Sequence, residues 1–255
     1  RCIDGERKAL LAFKQGLADS NNHLSSWGSE AQKQDCCASW EGVYCDKYTG
    51  HVVKLDLYGS SLGGRLSSQV GNLTHLQYLD LSFNDFASVE NLNSWLPRLS
   101  SLTYLGLSSS NLSNSYDWLE AINMLPKLTN LSLSFCVLPS PDSSNTVFNI
   151  NSSKSLAHVD LSSNQLTSPS IFLWLSNYNA SLVHLDLSDN QLVGSIPHVF
   201  GNMSSLVYLH LSDNQIEGGI PQSFSRLCNL QELHLSGNTL NGRPSMLVQM
   251  LMSTC

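Results

Sequence analysis

The stretch SLVHLDLSDNQLVGSIP at residues 181–197 recurs as the near copy SLVYLHLSDNQIEGGIP at residues 205–221. Both copies space three apolar residues as Leu-x-x-Leu-x-Leu and place an asparagine three positions after the last of them. Internal similarity at a fixed period of roughly 20 to 50 residues is the signature of repeat proteins. The two copies therefore indicate a chain built from stacked units.

Eight copies of the longer pattern Leu-x-x-Leu-x-Leu-x-x-Asn-x-Leu run through the chain. They begin at Val52, Leu76, Leu102, Leu128, Leu156, Leu182, Leu206 and Leu230. Alternating leucines lie on one face of a short strand, and a single repeat cannot bury that face. Stacked neighbours can, so the pattern predicts a continuous core beneath a parallel sheet.

The asparagine of each repeat is predicted to turn inward and to satisfy backbone groups of adjacent turns. It is present at Asn84, Asn164, Asn190, Asn214 and Asn238. In the other copies Ser60, Ser110 and Cys136 take its place, so we expect a weaker ladder there, with Cys136 as a buried free thiol.

The phrase Gly-x-Ile-Pro at residues 194–197 and 218–221 resembles the plant-type leucine-rich repeat. CIDGERKALLAFKQGL at 2–17, LSSW at 24–27 and DCCASWEGVYCD at 35–46 are similar to the N-terminal cap of plant receptor-like proteins and of polygalacturonase-inhibiting proteins. GSEAQKQDCC, LSFCVLP and SLVHLDLSDNQL most resemble receptor-like proteins that sense fungal xylanase or related microbial glycoside hydrolases.

The resemblance implies an α/β solenoid: a right-handed plant-type leucine-rich-repeat superhelix with a parallel concave sheet and an N-terminal helical cap. We expect the cap over residues 1–51 and about eight repeats over 52–255. After Leu240 the pattern breaks into RPSMLVQMLMSTC. Either the last turn caps itself through Cys255, or, as we expect, this is the membrane-distal part of a longer ectodomain. The resemblance also implies the disulfides Cys2–Cys36 and Cys37–Cys45.

Two further expectations concern the ends of the array. Asp4 is a plausible N-cap for a helix whose Leu10, Leu11, Ala12 and Leu17 cover the open end of the core. At the other end, Cys228 and Cys255 are separated by about one repeat, so stacked turns could bring them into bonding range.

The outward-facing positions of the strands form two columns across the concave sheet, with strands about 4.8 Å apart. Exposed aromatic and histidine side chains on a rigid sheet are typical of protein-docking surfaces, although they could also merely cover the strands. The residues expected to contact a ligand are Tyr78, Tyr104, His158, His184, Asp186, Tyr208, His210, Glu232 and His234. Nearby carboxylates are expected to favour the charged form of His184 and His210 at mildly acidic pH.

Catalysis and metal binding receive little support from the motifs. His184, Asp186, His210 and His234 could on paper hold a metal or form an acid–base pair, but HExxH, GxSxG and Gly-rich phosphate-loop motifs are missing. A zinc site on the cap cysteines would lack a CxxC pair. We therefore expect no enzyme, no cofactor and no metal.

Composition narrows the class of partner and the compartment. A net charge of -7 argues against a nucleic-acid partner, and no apolar run is long enough to span a bilayer, so we expect no membrane contact by this stretch. Seven cysteines favour an oxidising, extracellular or apoplastic location. Sequons outside the strands are expected to carry N-glycans at Asn72, Asn111, Asn151, Asn179 and Asn202, whereas Asn130 in the concave column is not.

The sequence therefore predicts an extracellular protein-recognition module. The resemblance implies the membrane-distal part of a plant immune receptor-like protein that is anchored in the plasma membrane. Such a receptor would bind a microbial elicitor such as a glycoside hydrolase and would meet a receptor kinase through missing C-terminal repeats. The alternative is a secreted inhibitor of a microbial cell-wall hydrolase such as polygalacturonase. The irregular spacing of the repeats disfavours that alternative, since such inhibitors tend to keep one repeat length.

Overall fold

The computed structural model describes residues 1–141, 155–242 and 255. The α-helices of this part are α1 Asp4–Gln15, α2 Cys36–Ser39, α3 Trp118–Asn123 and α4 Ser170–Ser176. The β-strands are β1 Leu17–Ala18, β2 Val43–Cys45, β3 Val52–Asp56, β4 Gly63–Leu66, β5 Tyr78–Asp80, β6 Ser88–Val89, β7 Tyr104–Gly106, β8 Asn130–Ser132, β9 His158–Asp160, β10 His184–Asp186, β11 Val193–Gly194, β12 Tyr208–His210, β13 Gln215–Gly218, β14 Glu232–His234 and β15 Thr239–Leu240. Short 3-10 helices lie at Ala31–Lys33, Ser68–Asn72, Leu92–Ser94, Leu96–Arg98, His198–Asn202 and Gln222–Arg226.

The repeat strands form one nine-stranded sheet in the order β14-β12-β10-β9-β8-β7-β5-β3-β2. The strands pair in parallel, except for β2, which runs antiparallel to β3. Two three-stranded sheets have the strand orders β1-β4-β6 and β11-β13-β15. Their strands follow the turn after a main strand, except for β1, which follows α1 in the cap and pairs antiparallel with β4. The predicted leucine-rich-repeat solenoid with a parallel concave sheet and a helical cap is confirmed.

The core is a continuous stack of leucines beneath the main sheet. In the repeat that begins at Leu182, the side chains of Leu182, Leu185 and Leu187 are all fully buried. This repeat and the next carry a 3-10 helix after the turn, whereas the longer repeats that begin at Leu102 and Leu156 carry α3 and α4 there. The irregular spacing is thus absorbed away from the main sheet, and the strand register stays intact.

The asparagine ladder forms as predicted. The Nδ2 of Asn190 donates to the carbonyls of Leu161, Leu187 and Ser188 at 3.0, 3.1 and 3.1 Å, and its Oδ1 accepts from the Leu166 amide at 3.1 Å. Leu161 and Leu166 belong to the preceding repeat, so each amide ties two turns together.

Two of the copies without asparagine show what replaces the ladder. The Cys136 thiol is buried and free, and it contacts the carbonyls of Leu107 and Ser134 at 3.2 and 3.4 Å, which an asparagine amide would otherwise reach. Burial raises the pKa of this thiol to about 12. The hydroxyl of Ser110 is buried without a hydrogen-bond partner, so the ladder is interrupted there.

The residue before the ladder position adopts a left-handed backbone in every repeat. Its φ lies between 52° and 68° at Gly59, Phe83, Ser109, Phe135, Ser163, Asp189, Asp213 and Gly237. This conformation is unfavourable for bulky L-residues, so Phe83 and Phe135 carry backbone strain that the glycines avoid.

The N-terminal cap closes the first repeat with Leu10 and Phe13 of α1, both fully buried. Leu11, Ala12 and Leu17 are only partly buried. The expected capping by Asp4 is wrong, because Ile3 holds the N-cap position and makes no side-chain hydrogen bond to the helix. The Asp4 carboxylate instead pairs with Arg7 and Lys8, and these partners lower its pKa to about 2.

Three disulfides tie down the ends of the described chain. In the cap Cys2 pairs with Cys36 and Cys37 with Cys45, and near the C-terminus Cys228 pairs with Cys255. The expectation that the repeat pattern breaks after Leu240 falls mostly on residues 243–254, outside the described residues.

Candidate functional site

Sheet register aligns the outward-facing side chains of successive repeats into two columns. Tyr78 pairs with Tyr104, His184 with Tyr208, and Asp186 with His210. The first column reads Lys54, Tyr78, Tyr104, Asn130, His158, His184, Tyr208, Glu232. The second column reads Asp56, Asp80, Gly106, Ser132, Asp160, Asp186, His210, His234.

At the N-terminal end of the first column, Tyr78 and Tyr104 stack face to face, with ring centroids 4.2 Å apart and planes 12° apart. The Lys54 ammonium lies 4.4 Å from the Tyr78 centroid. Burial, followed by the nearby Asp80 carboxylate, raises the pKa of both phenols. Both tyrosines are therefore neutral hydrogen-bond donors, and the Tyr104 hydroxyl lies 3.4 Å from Asp80 Oδ2.

Asp80 is nearly buried and depends on the glycine beside it. Its Oδ1 accepts from the Ser82 amide at 2.9 Å. A Cβ on Gly106 would lie 2.5 Å from that oxygen, closer than real contacts allow. Gly106 thus leaves the space that the carboxylate beside Tyr104 occupies.

A second aromatic group covers the C-terminal half of the sheet. His184 stacks on Tyr208 with centroids 4.1 Å apart and planes 4° apart, and His158 follows at 6.2 Å from His184. The ring of His234 lies 5.5 Å from Tyr208 and 4.9 Å from His210. The sequence-predicted histidines and Tyr208 therefore form one contiguous surface.

Polar contacts link this group to the acidic residues around it. The Nδ1 of His210 lies 3.0 Å from the Tyr208 hydroxyl and 3.4 Å from Asp186 Oδ2. The Nε2 of His234 lies 3.3 Å from Glu232 Oε2. Tyr208 and Asp186 contact the same ring nitrogen. An Nδ1–H can donate to either of them, whereas an Nδ1 without a hydrogen can only accept from the Tyr208 hydroxyl.

The expected charging of His184 is wrong in direction. Burial lowers the pKa of His184 below the usual 6.5, and this effect exceeds the opposing attraction of Asp186. The neighbouring rings cover the imidazole and remove water that would stabilise its charged form. At mildly acidic pH a larger fraction of His184 is therefore neutral than the sequence indicated.

A shallow depression of ≈ 230 Å³ separates the two aromatic groups. It is lined by strand β8 and by Tyr104 and His158. In the first column, Asn130 of β8 stands where the neighbouring repeats carry these larger rings. The ligand-contact residues expected from the sequence thus form two clusters with a gap between them. Such a gap can accept a protruding side chain of a partner.

Sequence reasoning missed Tyr44. This residue lies on β2, outside the repeat pattern, and its antiparallel pairing places it opposite Lys54. Lys54 Nζ is 5.1 Å from the Tyr44 ring, which is 54% exposed. The sequence signal for Tyr44 was its place between two inward-facing residues in VYC. The residues around it did not indicate that β2 pairs with β3.

The sequons differ in accessibility. Asn72, Asn111, Asn179 and Asn202 are exposed, whereas Asn130 is partly covered within the concave column. Asn151 lies outside the described residues. Glycan attachment at the exposed positions stays a prediction.

The comparisons with known proteins agree with this fold. A model described as "Leucine rich repeat N-terminal domain" matches residues 3–46, and leucine-rich-repeat models match residues 72–89 and 180–240. The Solanum lycopersicum "Receptor-like protein EIX1" is 36% identical over 79% of this chain and 25% of its own length. "Receptor-like protein EIX2" of the same species is 33% identical over 70% of this chain and 23% of its own length.

Structural similarity gives the same fold. The ectodomain of the Arabidopsis thaliana receptor kinase GASSHO1/SCHENGEN3, solved in complex with CASPARIAN STRIP INTEGRITY FACTOR 2, has a TM-score of 0.71 and 24% identity. The match covers 96% of this chain and 31% of that one. The chain spans about a quarter of the length of the curated relatives it matches. Among the described residues, no helix has the length and apolarity needed to cross a membrane.

Proposed function

We propose that this chain, a leucine-rich-repeat protein related to plant receptor-like proteins, recognises a microbial elicitor protein through its concave sheet. The single observation that carries the proposal is the line of partly exposed rings across the sheet. Tyr44, Tyr78 and Tyr104 form one group, and His184 and Tyr208 anchor the other.

The chemistry of this line suits a protein partner. Tyrosine offers a large apolar face and a hydroxyl with few rotatable bonds, which makes it a frequent anchor in interfaces. Stacking already fixes the rings in place, so little conformational entropy is lost when a partner covers them. Flanking carboxylates and imidazoles supply the polar rim.

The ligand class we propose is a secreted glycoside hydrolase. Support comes from the resemblance of residues 28–37, 133–139 and 181–192 to receptor-like proteins that sense such enzymes. An extracellular, apoplastic location is supported by the three disulfides, which persist in oxidising compartments. In a receptor as long as the relatives, membrane anchoring and contact with a receptor kinase would be tasks of segments beyond this chain.

The test is binding of purified fungal xylanase and polygalacturonase to the immobilised chain. We expect saturable binding of the xylanase, weakened at least about tenfold in Tyr78→Ala/Tyr104→Ala and in His184→Ala/Tyr208→Ala. The matched control is Tyr116→Ala, because Tyr116 is 75% exposed and lies outside both columns.

Two outcomes would contradict the proposal. Equal loss in Tyr116→Ala would remove the concave sheet as the binding surface. Tight binding and inhibition of the polygalacturonase, with no binding of xylanase, would favour the inhibitor alternative.

A further inference from the structure

A buried carboxylate lies between the cap and the first repeats, away from the two concave columns. Glu6 on α1 has a side chain that is only 7% exposed. Its Oε2 accepts from the Val52 amide at 2.8 Å. Its Oε1 lies 3.0 Å from His51 Nδ1 and 3.9 Å from His75 Nδ1. One oxygen is therefore used by the backbone, and the other faces two imidazoles.

Burying a carboxylate is costly unless a positive charge or several donors compensate for the lost water. Among the described residues, the ion-pair partners within reach of Glu6 are these two histidines. Lys8 and Glu6 line one cavity beside the cap helix, but the Lys8 ammonium pairs with Asp4 at 2.9 Å. Among the described residues, the side chains placed to bring a cation to Glu6 are therefore the two imidazoles.

The two imidazoles stack on each other with centroids 3.6 Å apart and planes 14° apart. Two charged rings at this distance would repel each other strongly. With a neutral pair, His51 can donate its Nδ1–H to Glu6, which leaves the carboxylate without a full countercharge. A divalent cation that replaces this proton would supply that charge.

From this geometry we propose that Glu6, His51 and His75 bind a divalent transition-metal ion that prefers imidazole, such as Zn²⁺. One ligand atom from each residue lies within 4.8 Å of the others. Two imidazole nitrogens, one carboxylate oxygen and a water complete a tetrahedral set. Tetrahedral ligands at about 2.0 to 2.2 Å from a metal lie roughly 3.3 to 3.6 Å from each other, between the two distances that separate the imidazoles from Glu6.

One ring must move for the metal to bind. The lone pair of an imidazole nitrogen lies in the plane of its ring, so two nearly parallel rings do not point at one common ion. His75 is the ring that can tilt, because its side chain is 53% exposed, whereas that of His51 is 30% exposed. The movement is a side-chain rotation at the surface and leaves Glu6 in place.

The surroundings admit an ion and its water. A cavity of ≈ 570 Å³ opens beside the three residues and is also lined by the polar side chains of Gln69 and Thr74. The ligands come from the cap helix, from the end of the cap and from the last residue of the first repeat. A bound ion would therefore fasten the cap to the array and raise the stability of the folded chain.

The experiment is calorimetric titration of the metal-free, disulfide-bonded chain with Zn²⁺, together with thermal unfolding with and without the ion. We expect one saturable equivalent and a rise in Tm. His75→Ala changes an exposed residue and should fold normally, and Glu6→Gln keeps the shape of the buried side chain. Both should weaken binding at least about tenfold and abolish the rise in Tm.

Two control variants separate this site from other histidines. His23→Ala removes an exposed histidine elsewhere in the cap, and His210→Ala/His234→Ala removes the neighbouring pair on the concave face. Both should bind Zn²⁺ as the unaltered chain does. The absence of saturable binding, unchanged binding in His75→Ala, or loss of the equivalent in His210→Ala/His234→Ala would overturn the proposal.

Discussion

The ring of His184 lies flat on the ring of Tyr208, with centroids 4.1 Å apart and planes 4° apart. Their strands are adjacent in the sheet, so the stack is a consequence of parallel register. The contact keeps the imidazole partly dry and fixes the orientation of the phenol. The pair thus lowers the pKa of His184 by burial and presents two parallel rings on the concave surface.

The lowered pKa of His184 predicts a pH dependence of stability. Between its folded pKa and the usual 6.5, the folded chain binds fewer protons than the unfolded chain. The contribution of neutral His184 is complete above about pH 6.5 and is lost as the pH falls toward the folded pKa. We expect the decrease in unfolding free energy between about pH 7 and about pH 5 to be smaller in His184→Phe, which keeps the stacked ring.

Urea unfolding at both pH values measures this difference. His198→Ala is the control, because His198 is an exposed histidine outside the columns. If the His184→Phe variant loses as much stability on acidification as the unaltered chain, burial does not govern this imidazole.

The ladder asparagines are predicted to contribute substantially to stability. Asn190→Ala leaves the buried amide of Leu166 without its partner. It also removes one of the two amide donors to the carbonyl of Leu161, which keeps its bond from Asn164. We expect a loss of about 1 to 3 kcal/mol in unfolding free energy. Ser60→Ala, at an equivalent position without asparagine, should cost less. Equal losses in chemical denaturation would show that the ladder does not act through these bonds.

Ser110→Asn should restore the interrupted ladder. The repeats that meet at Ser110 begin at Leu76 and Leu102, and those that Asn190 joins begin at Leu156 and Leu182. Both pairs have the same offset, so the same amide geometry is available. The asparagine would replace a buried hydroxyl that has no partner.

We expect Ser110→Asn to gain about 0.5 to 1.5 kcal/mol in unfolding free energy, measured by urea unfolding. Ser110→Ala is the control, since it removes the unpaired hydroxyl without adding an amide. A loss of stability in Ser110→Asn would mean that this turn is too tight for the larger side chain.

Phe135→Gly should relieve backbone strain. Phe135 has φ 55° and a side chain that is 58% exposed, so the substitution sacrifices little burial. Relief of the left-handed conformation should outweigh the added freedom of the unfolded chain by roughly 0.5 to 1 kcal/mol. Phe135→Ala removes the ring but keeps the Cβ, so its thermal unfolding should show no such gain. A gain as large in Phe135→Ala would rule out strain as the cause.

The repeat architecture and the membership of the two columns were readable from the sequence. Three apolar residues at fixed offsets recur in every repeat, and strand alternation is a local property of the backbone. Once Leu182, Leu185 and Leu187 are assigned to the core, His184 and Asp186 must face outward. The ladder position of Asn190 follows from the same offsets.

Relationships that cross the repeat pattern depended on the tertiary structure. Tyr44 extends the first column beyond Lys54 only because β2 pairs antiparallel with β3. The offsets between repeats do not encode this pairing. Glu6, His51 and His75 meet only when α1 closes over the first turns. The pKa of His184 falls because neighbouring repeats exclude water from its ring. Offsets along the chain specify which face of the sheet a side chain occupies. Its solvent exposure and its pKa depend on atoms that distant segments bring within a few ångströms.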